Sequence, residues 1–192
     1  DTPTAQDGID FALPFLPSTE YQGLVSSGAT YQTVHATITN AHAAKPELVN
    51  DVKRQIPDPR TVKVDVTKGA GQYRAVGRAV ALAATKDIAR AARESIAKLT
   101  DASALAQLTS LGEKMRTRSS SGDSSPTVIV ISSIAGGSGA GQFLDIIEIV
   151  KSTVKQHPWS NQPSSYLYAP DALAQAQGNA GMSGNALASI PE

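Results

Sequence analysis

The pattern of apolar and polar residues along the 192-residue chain predicts three short strands. Residues 61–66 alternate between polar and β-branched side chains, which is typical of a strand with one buried face. Residues 127–133 form a β-branched run between turn-forming residues, which favours a buried strand of a parallel sheet. Residues 165–170 indicate a third strand that ends at a proline.

A glycine-rich segment follows each of the first two strands, and a helix is predicted after each segment. Apolar residues recur at helical spacing from Phe143 to Val154, and Pro158 ends that pattern. A longer helical pattern begins near Tyr73 and continues to Leu99. The repeated order of strand, glycines and helix predicts an α/β fold with a mostly parallel sheet flanked by helices.

Two other regions have a predicted structure but carry no motif that indicates catalysis or ligand binding. Residues 11–60 are predicted to be a helical insertion, in which Pro46 begins a short helix. Residues 112–126 contain a serine-rich run and are predicted to be a mobile surface loop. His35 and His42 could share a helix face, but no carboxylate or cysteine stands at ligand spacing, so no metal site is predicted.

The segment from Ala135 to Gly141, AGGSGAG, is the strongest chemical signal in the chain. It lies between a predicted strand and a predicted helix. The unpaired N–H groups and the positive dipole end of the first helical turn favour an anion there. Gln142 stands where a Walker A loop needs lysine, and the glycine spacing also departs from the dinucleotide fingerprint. The segment therefore predicts a phosphate site of another kind.

Two alternatives to phosphate binding stay open for this segment. Its glycines would also allow a strand and a helix to pack closely. Ser138 occupies the nucleophile position of a serine hydrolase elbow, and His157 is the one histidine that follows it. Because no separate acidic segment lies between them, a hydrolase is the most remote hypothesis.

The second glycine-rich segment, residues 68–72, has the sequence KGAGQ and precedes the helix that begins near Tyr73. Arg74 and Arg78 stand one turn apart at the start of that helix. They form either a solvated face or a contact with a phosphate group or a neighbouring subunit.

The two segments together resemble the tubulin and FtsZ superfamily, and more closely its bacterial tubulin-like branch. Residues 69–78, GAGQYRAVGR, are similar to that family's γ-phosphate loop and the helix after it. Residues 134–141, IAGGSGAG, are similar to the tubulin signature Gly-Gly-Gly-Thr-Gly-Ser/Thr-Gly. The chain departs from the signature at Ala135, Ser138 and Ala140, and Ala140 lacks a hydroxyl for a phosphate or magnesium contact.

The resemblance implies a Rossmann-like GTPase domain that binds GTP or GDP, with Mg²⁺ as a further candidate ion. It also implies Arg74 as a candidate phosphate contact and Asp171 as a candidate ribose contact. Replacement of Gly137 by a bulky residue is expected to abolish nucleotide binding and leave the fold intact. The residues that the resemblance assigns to the phosphates are Gly69, Ala70, Gly71, Ala135, Gly136, Gly137, Ser138, Gly139, Ala140 and Gly141.

By the same resemblance, residues 1–192 are a partial nucleotide-binding domain that is incomplete at both ends. In tubulin-like proteins most guanine contacts and the acidic loop that activates water come later in the chain, so no catalytic residue is predicted here. GTP hydrolysis would require the complete protein and self-association through the family's longitudinal contacts. The alternative is a non-polymerising or nucleotide-free tubulin-like module that binds protein partners.

Composition restricts the classes of partner. The 17 basic and 17 acidic residues balance, which argues against a nucleic-acid-binding surface. The absence of cysteine excludes disulfides, thiol catalysis and thiolate metal sites. No apolar run approaches the length of a membrane span, and the expected location is cytoplasmic.

Overall fold

The computed structural model describes residues 23–41, 43, 45–114, 126–159, 161–173 and 182–189. These ranges contain helices and a small parallel sheet, which is compatible with the predicted α/β fold. A larger Rossmann-like sheet is not seen within them, where two strands pair with each other. The elements are α1 Tyr31–Ala41, α2 Pro46–Gln55, α3 Arg74–Ala83, α4 Thr85–Lys98, α5 Ala102–Lys114, β1 Ile129–Ser133, α6 Gly137–Val154, β2 Ser164–Tyr168 and α7 Met182–Ser189.

The strands β1 and β2 are parallel and are joined through α6. Ile131 is in register with Tyr166, and both predicted strands are confirmed. Burial of β1 on both faces is wrong, because Ile131 is 65% exposed and Tyr166 is 63% exposed. Helix α6 contacts β1, whereas the face of the sheet that carries these two side chains has no cover in the described part of the chain.

The strand predicted at residues 61–66 is wrong, although its alternating burial is observed. Val66 is buried and Val62 and Val64 are half-buried, whereas the polar residues that alternate with them, Thr61, Lys63 and Asp65, are exposed. The backbone, however, pairs with no strand of the described ranges. Asp65 accepts a hydrogen bond from the Thr67 N–H at 3.1 Å and so starts a short 3-10 helix, Val66–Lys68.

The long helix predicted from Tyr73 is divided in two at Ala84. The Thr85 hydroxyl donates to the carbonyl oxygens of Ala81 and Leu82, which competes with regular helical bonding. As a result α3 packs between α1 and α6, and α4 packs along α6. A hydrophobic cluster that includes Ala81, Ala84 and Ile88 covers this bend.

The main core lies between α1, α3 and the extended segment that precedes α3. Its largest fully buried side chains are those of Tyr31, Ile38 and Val76. The region 11–60 contains two helices, α1 and α2, among its described residues, and its status as an insertion stays a prediction.

Several predictions fall on residues that the structure does not describe. Residues 11–22 of the predicted insertion, His42 and most of the predicted mobile loop lie outside the described ranges. The first three residues of that loop, 112–114, belong to α5. Within the described ranges no helix is both long and apolar enough to cross a bilayer.

Candidate functional site

The two glycine-rich segments contact each other directly at the start of α6, through residues that are 66 and 68 positions apart in sequence. The Gly137 N–H donates to the Gly71 carbonyl oxygen at 2.7 Å. The Ala70 N–H donates to the Ser138 hydroxyl oxygen at 3.1 Å. Every position assigned to the phosphates by sequence therefore lies in one of two touching segments. The point of contact is at the carboxyl end of β1, where parallel sheets commonly present ligand sites.

The first turn of α6 keeps two N–H groups available. The N–H groups of Gly137 and Ala140 donate to Gly71 and Gly136 carbonyls. Those of Ser138 and Gly139 make no hydrogen bond to the described part of the chain. They lie at the positive end of the 18-residue helix, so an anion at this point would gain both hydrogen bonds and a favourable dipole.

Close packing requires three of the signature glycines. A Cβ atom at Gly137 would lie 2.6 Å from the Tyr73 nitrogen. At Gly139 it would overlap the Ser133 carbonyl oxygen, and at Gly141 it would overlap the backbone of α3 at Arg74. The packing explanation considered from sequence therefore holds at these three positions, whether or not the segment also binds a ligand.

Gly136 differs from the other glycines of this segment. A Cβ atom there would meet nothing within 4 Å, and its φ of −91° is open to any residue. The expectation that a Gly137 replacement leaves the fold intact is therefore wrong, because backbone atoms block a side chain at Gly137. Gly136 is the position that can be changed with little effect on packing.

The second segment also uses special backbone geometry. Gly69 has a φ of 103° and Gly71 a φ of 57°, values that favour glycine over every other residue. These two residues turn the chain from the short 3-10 helix into α3. The turn aims the Gly71 carbonyl at α6, which is how the second segment reaches the first.

Arg74 and Arg78 lie at the crossing of α3 and α6, not on a solvated face. The Arg74 guanidinium donates from Nε to the Ala140 carbonyl oxygen at 3.1 Å and from Nη1 to the Ala188 carbonyl oxygen at 3.2 Å. Arg78 is paired with Asp145 of α6 at 3.8 Å. Both side chains thus hold helices together, and a phosphate contact by Arg74 stays a prediction.

One residue at this junction, Asn185 of α7, was not predicted from the sequence. Its side-chain nitrogen donates to the carbonyl oxygens of Gln72 and Ala135, each at 3.0 Å. These carbonyls belong to the two different glycine-rich segments. A single asparagine in a short helix carries no motif, so only the fold reveals this contact.

The serine hydrolase hypothesis based on His157 is wrong. Ser138 is in the first turn of α6, and His157 lies beyond its last residue, where it stacks on Trp159. Helical rise over 18 residues separates the two ends by about 27 Å, so His157 cannot take a proton from Ser138.

Asp171 lies in a short 3-10 helix, Pro170–Leu173, directly after β2. Its side chain is exposed. This places it at the same edge of the sheet as the end of β1, and its ribose contact stays a prediction. Within the described ranges no group of three or more histidine and acidic residues is arranged to hold a metal ion.

The clearest pKa shifts arise near α1. Burial raises the pKa of Tyr31 to about 12, and its hydroxyl donates to the Pro57 carbonyl oxygen at 3.0 Å. Hydrogen bonds from Arg60 lower the pKa of Asp58 to about 2. Tyr31 belongs to the core that packs on α3, and Asp58 lies in the loop that follows α2.

A family model described as tubulin like matches residues 3–192, almost the whole chain. The chain belongs to the tubulin-like family. No curated protein and no solved structure matches it at a significant level. In this tubulin-like chain, the two segments that carry the resemblance, 69–78 and 134–141, are the ones that meet at the start of α6.

Proposed function

We propose that this tubulin-like chain binds the phosphates of a guanine nucleotide, GTP or GDP, where its two glycine-rich segments meet. The observation that carries the proposal is the direct contact of these segments at the N-terminus of α6, at the carboxyl end of a parallel strand. Family membership supports the choice of a guanine nucleotide.

Two features of the first turn support a phosphate there. The N–H groups of Ser138 and Gly139 are available as donors, and two such bonds suit an oxyanion. The open space beside Gly136 lets a ligand approach the backbone closely. Ala70 and Gly71 would then lie next to the γ-phosphate. Loss of that phosphate, when GTP becomes GDP, would alter the contact between the two glycine-rich segments.

Mg²⁺ would neutralise phosphate charge when bound. Ser138 is the side chain of the signature that fits such an ion, because its hydroxyl oxygen accepts from the Ala70 N–H and keeps a second lone pair. Ala140 offers no oxygen from its side chain. We propose that hydrolysis occurs in the complete protein when it self-associates in the cytoplasm and a neighbouring subunit supplies the acid.

A second candidate function is a nucleotide-free tubulin-like interaction module. The observation that favours it is that the chain itself satisfies the N–H groups of Gly137 and Ala70. Packing also accounts for Gly137, Gly139 and Gly141 without any ligand. On this hypothesis the glycines preserve the fold, and the function resides in contacts with protein partners.

Calorimetric titration of GTP, GDP and ATP into the complete protein tests the proposal. The variant G136V places a β-branched side chain in the open space, in an extended conformation that it tolerates. We expect it to remain folded and to bind GTP at least about tenfold more weakly, because the side chain blocks one or two charge-assisted hydrogen bonds.

The matched control is G184A, since Gly184 of α7 also has nothing within 4 Å of an added Cβ atom. This variant should bind GTP as the unchanged protein does. Equal GTP affinity in G136V would remove the first turn of α6 from the site. Absence of binding by the folded, unchanged protein would favour the interaction module, and light scattering with GTP separates an assembling protein from a non-assembling one.

A further inference from the structure

Asn185 bridges the two glycine-rich segments through one amide group. Its nitrogen lies 3.0 Å from the Gln72 carbonyl oxygen, which follows the first segment's glycines, and 3.0 Å from the Ala135 carbonyl oxygen, which opens the second. Both partners can only accept hydrogen bonds, so the NH₂ group and not the amide oxygen must face them. Each of its two protons serves a different segment.

In a helix that began one residue earlier, at Gly136, the Ala135 carbonyl oxygen would accept from the Gly139 N–H. In the structure this oxygen accepts from the Asn185 side chain, and α6 begins at Gly137. The Gly139 N–H is left without a partner in the described part of the chain. Asn185 thereby helps to define where the first turn of α6 begins and which donors it presents.

Helix α7 is held against the junction at three further points. Met182, one turn before Asn185, and Ala186, directly after it, are both buried, so the side of α7 that carries Asn185 is the packed side. Arg74 of α3 donates to the Ala188 carbonyl oxygen near the end of α7. A displacement of α7 would therefore act on both glycine-rich segments through Asn185.

We infer that Asn185 is a positioning residue that couples the position of α7 to the geometry of both glycine-rich segments. It sets the separation of the segments and the start of α6 without itself contacting a ligand. The inference about geometry stands on the contacts alone. Its consequence for nucleotide affinity rests on the proposed function, so the two are measured separately.

Hydrogen exchange of the ligand-free, complete protein tests the coupling. The amides of Ala70 and Gly137, whose hydrogen bonds cross between the segments, report on their contact. The amide of Ser164, which donates to the Val128 carbonyl oxygen between the starts of β2 and β1, serves as the remote reference. In N185A we expect exchange at the first pair to accelerate on the order of tenfold, with the reference changed much less, because two hydrogen bonds are lost locally.

Two further variants, a substitute for N185A and a control, complete the exchange experiment. N185D has nearly the same shape and lacks the NH₂ donors, so it should accelerate the same amides and replaces N185A if that variant does not fold. G184A, on the adjacent residue and with free space around its new methyl group, should leave these amides unchanged. Unchanged exchange at Ala70 and Gly137 in a folded Asn185 variant would overturn the inference, as would equal acceleration at the reference amide of Ser164.

Nucleotide titration of the same variants is the second readout. If the unchanged protein binds GTP, N185A should weaken binding about tenfold or more while G184A does not. If the unchanged protein binds no nucleotide, the proposed function fails, and the exchange result still decides whether Asn185 couples α7 to the segments.

Discussion

The two packing faces of α3 differ in the kind of atoms that make the contact. Toward α1, the face that includes Val76 and Val80 packs against large side chains, among them Tyr31 and Ile38. Toward α6, Gly77 lies against the backbone of Gly137 so closely that an added Cβ atom would overlap a carbonyl oxygen. The first contact is made by side chains and the second by main-chain atoms.

This difference determines how each face responds to mutation. A side-chain core loses stability when atoms are removed, because cavities form and apolar burial is lost. A backbone crossing loses stability when atoms are added, because neighbouring main-chain atoms cannot move aside as a flexible side chain can. Since the crossing also holds the glycine-rich segments, the intolerant face of α3 is the one next to the candidate site.

Substitution G77A should have the largest effect on stability. The added methyl group would overlap the Gly137 carbonyl oxygen, so α3 and α6 must separate. We expect the free energy of unfolding to fall by more than about 3 kcal/mol, at the upper end of overpacking effects. Chemical denaturation monitored by circular dichroism measures this change.

The variant G184A is the matched control, because it also replaces a helical glycine by alanine but has open space around the new methyl group. Helix propensity alone predicts a gain of up to about 1 kcal/mol there. A similar gain in G77A would mean that the crossing is looser than described, and the contrast between the two faces of α3 would fail.

Substitution I38A should have the next largest effect, through the opposite mechanism. Ile38 is 1% exposed and packs in the cluster that joins α1 to α3. Removal of its side chain beyond Cβ should lower the free energy of unfolding by about 2–4 kcal/mol. Denaturation under the same conditions as for G77A compares the two faces directly.

The control for this face is L111A on α5, since Leu111 is 52% exposed. Its free energy of unfolding should stay within about 0.5 kcal/mol of the unchanged protein. A loss in L111A as large as that in I38A would indicate that α5 has a packing partner beyond the described residues.

Much of the fold could be predicted from local patterns. The strand before the signature and the helix after it follow from a β-branched run, a glycine cluster and Pro158, and all are observed. The alternation at residues 61–66 predicted which side chains are buried, but not the missing strand pairing, since a ladder requires a partner strand. The division at Ala84 was not predicted, because helical periodicity does not show that the Thr85 hydroxyl bonds to the carbonyls of the preceding turn.

The two segments that form the candidate site could be predicted from the sequence, but the roles of their individual residues could not. Sequence shows that Gly136 and Gly137 are neighbours in one motif, whereas only the fold shows that one has open space and the other meets Tyr73. Asn185 was invisible for the same reason, because its importance comes from carbonyl groups 50 and 113 residues away. Contacts of this range require tertiary structure.

Tyr31 offers the subtlest test of the side-chain face. Its burial raises the pKa to about 12 from an ordinary value of 10.0, so the folded state favours the neutral phenol. The stability that the buried, neutral phenol of Tyr31 contributes is fully present below pH 10. It is lost as the pH rises through 12, because Tyr31 ionises at a lower pH in the unfolded chain than in the folded one. Linkage gives a loss of about 1 kcal/mol at pH 11 and about 2 kcal/mol at pH 12.

The variant Y31F lacks this ionisation, so its free energy of unfolding should decline less steeply over the same range of pH. At neutral pH it should be about 1 kcal/mol less stable, because the hydrogen bond to the Pro57 carbonyl oxygen is lost. The difference between the two proteins should therefore shrink and then reverse between pH 10 and 12. If the free energies of unfolding of the two proteins instead change in parallel with pH, the Tyr31 hydroxyl is accessible to water. The side-chain face of α3 would then be packed less tightly than the face that meets α6.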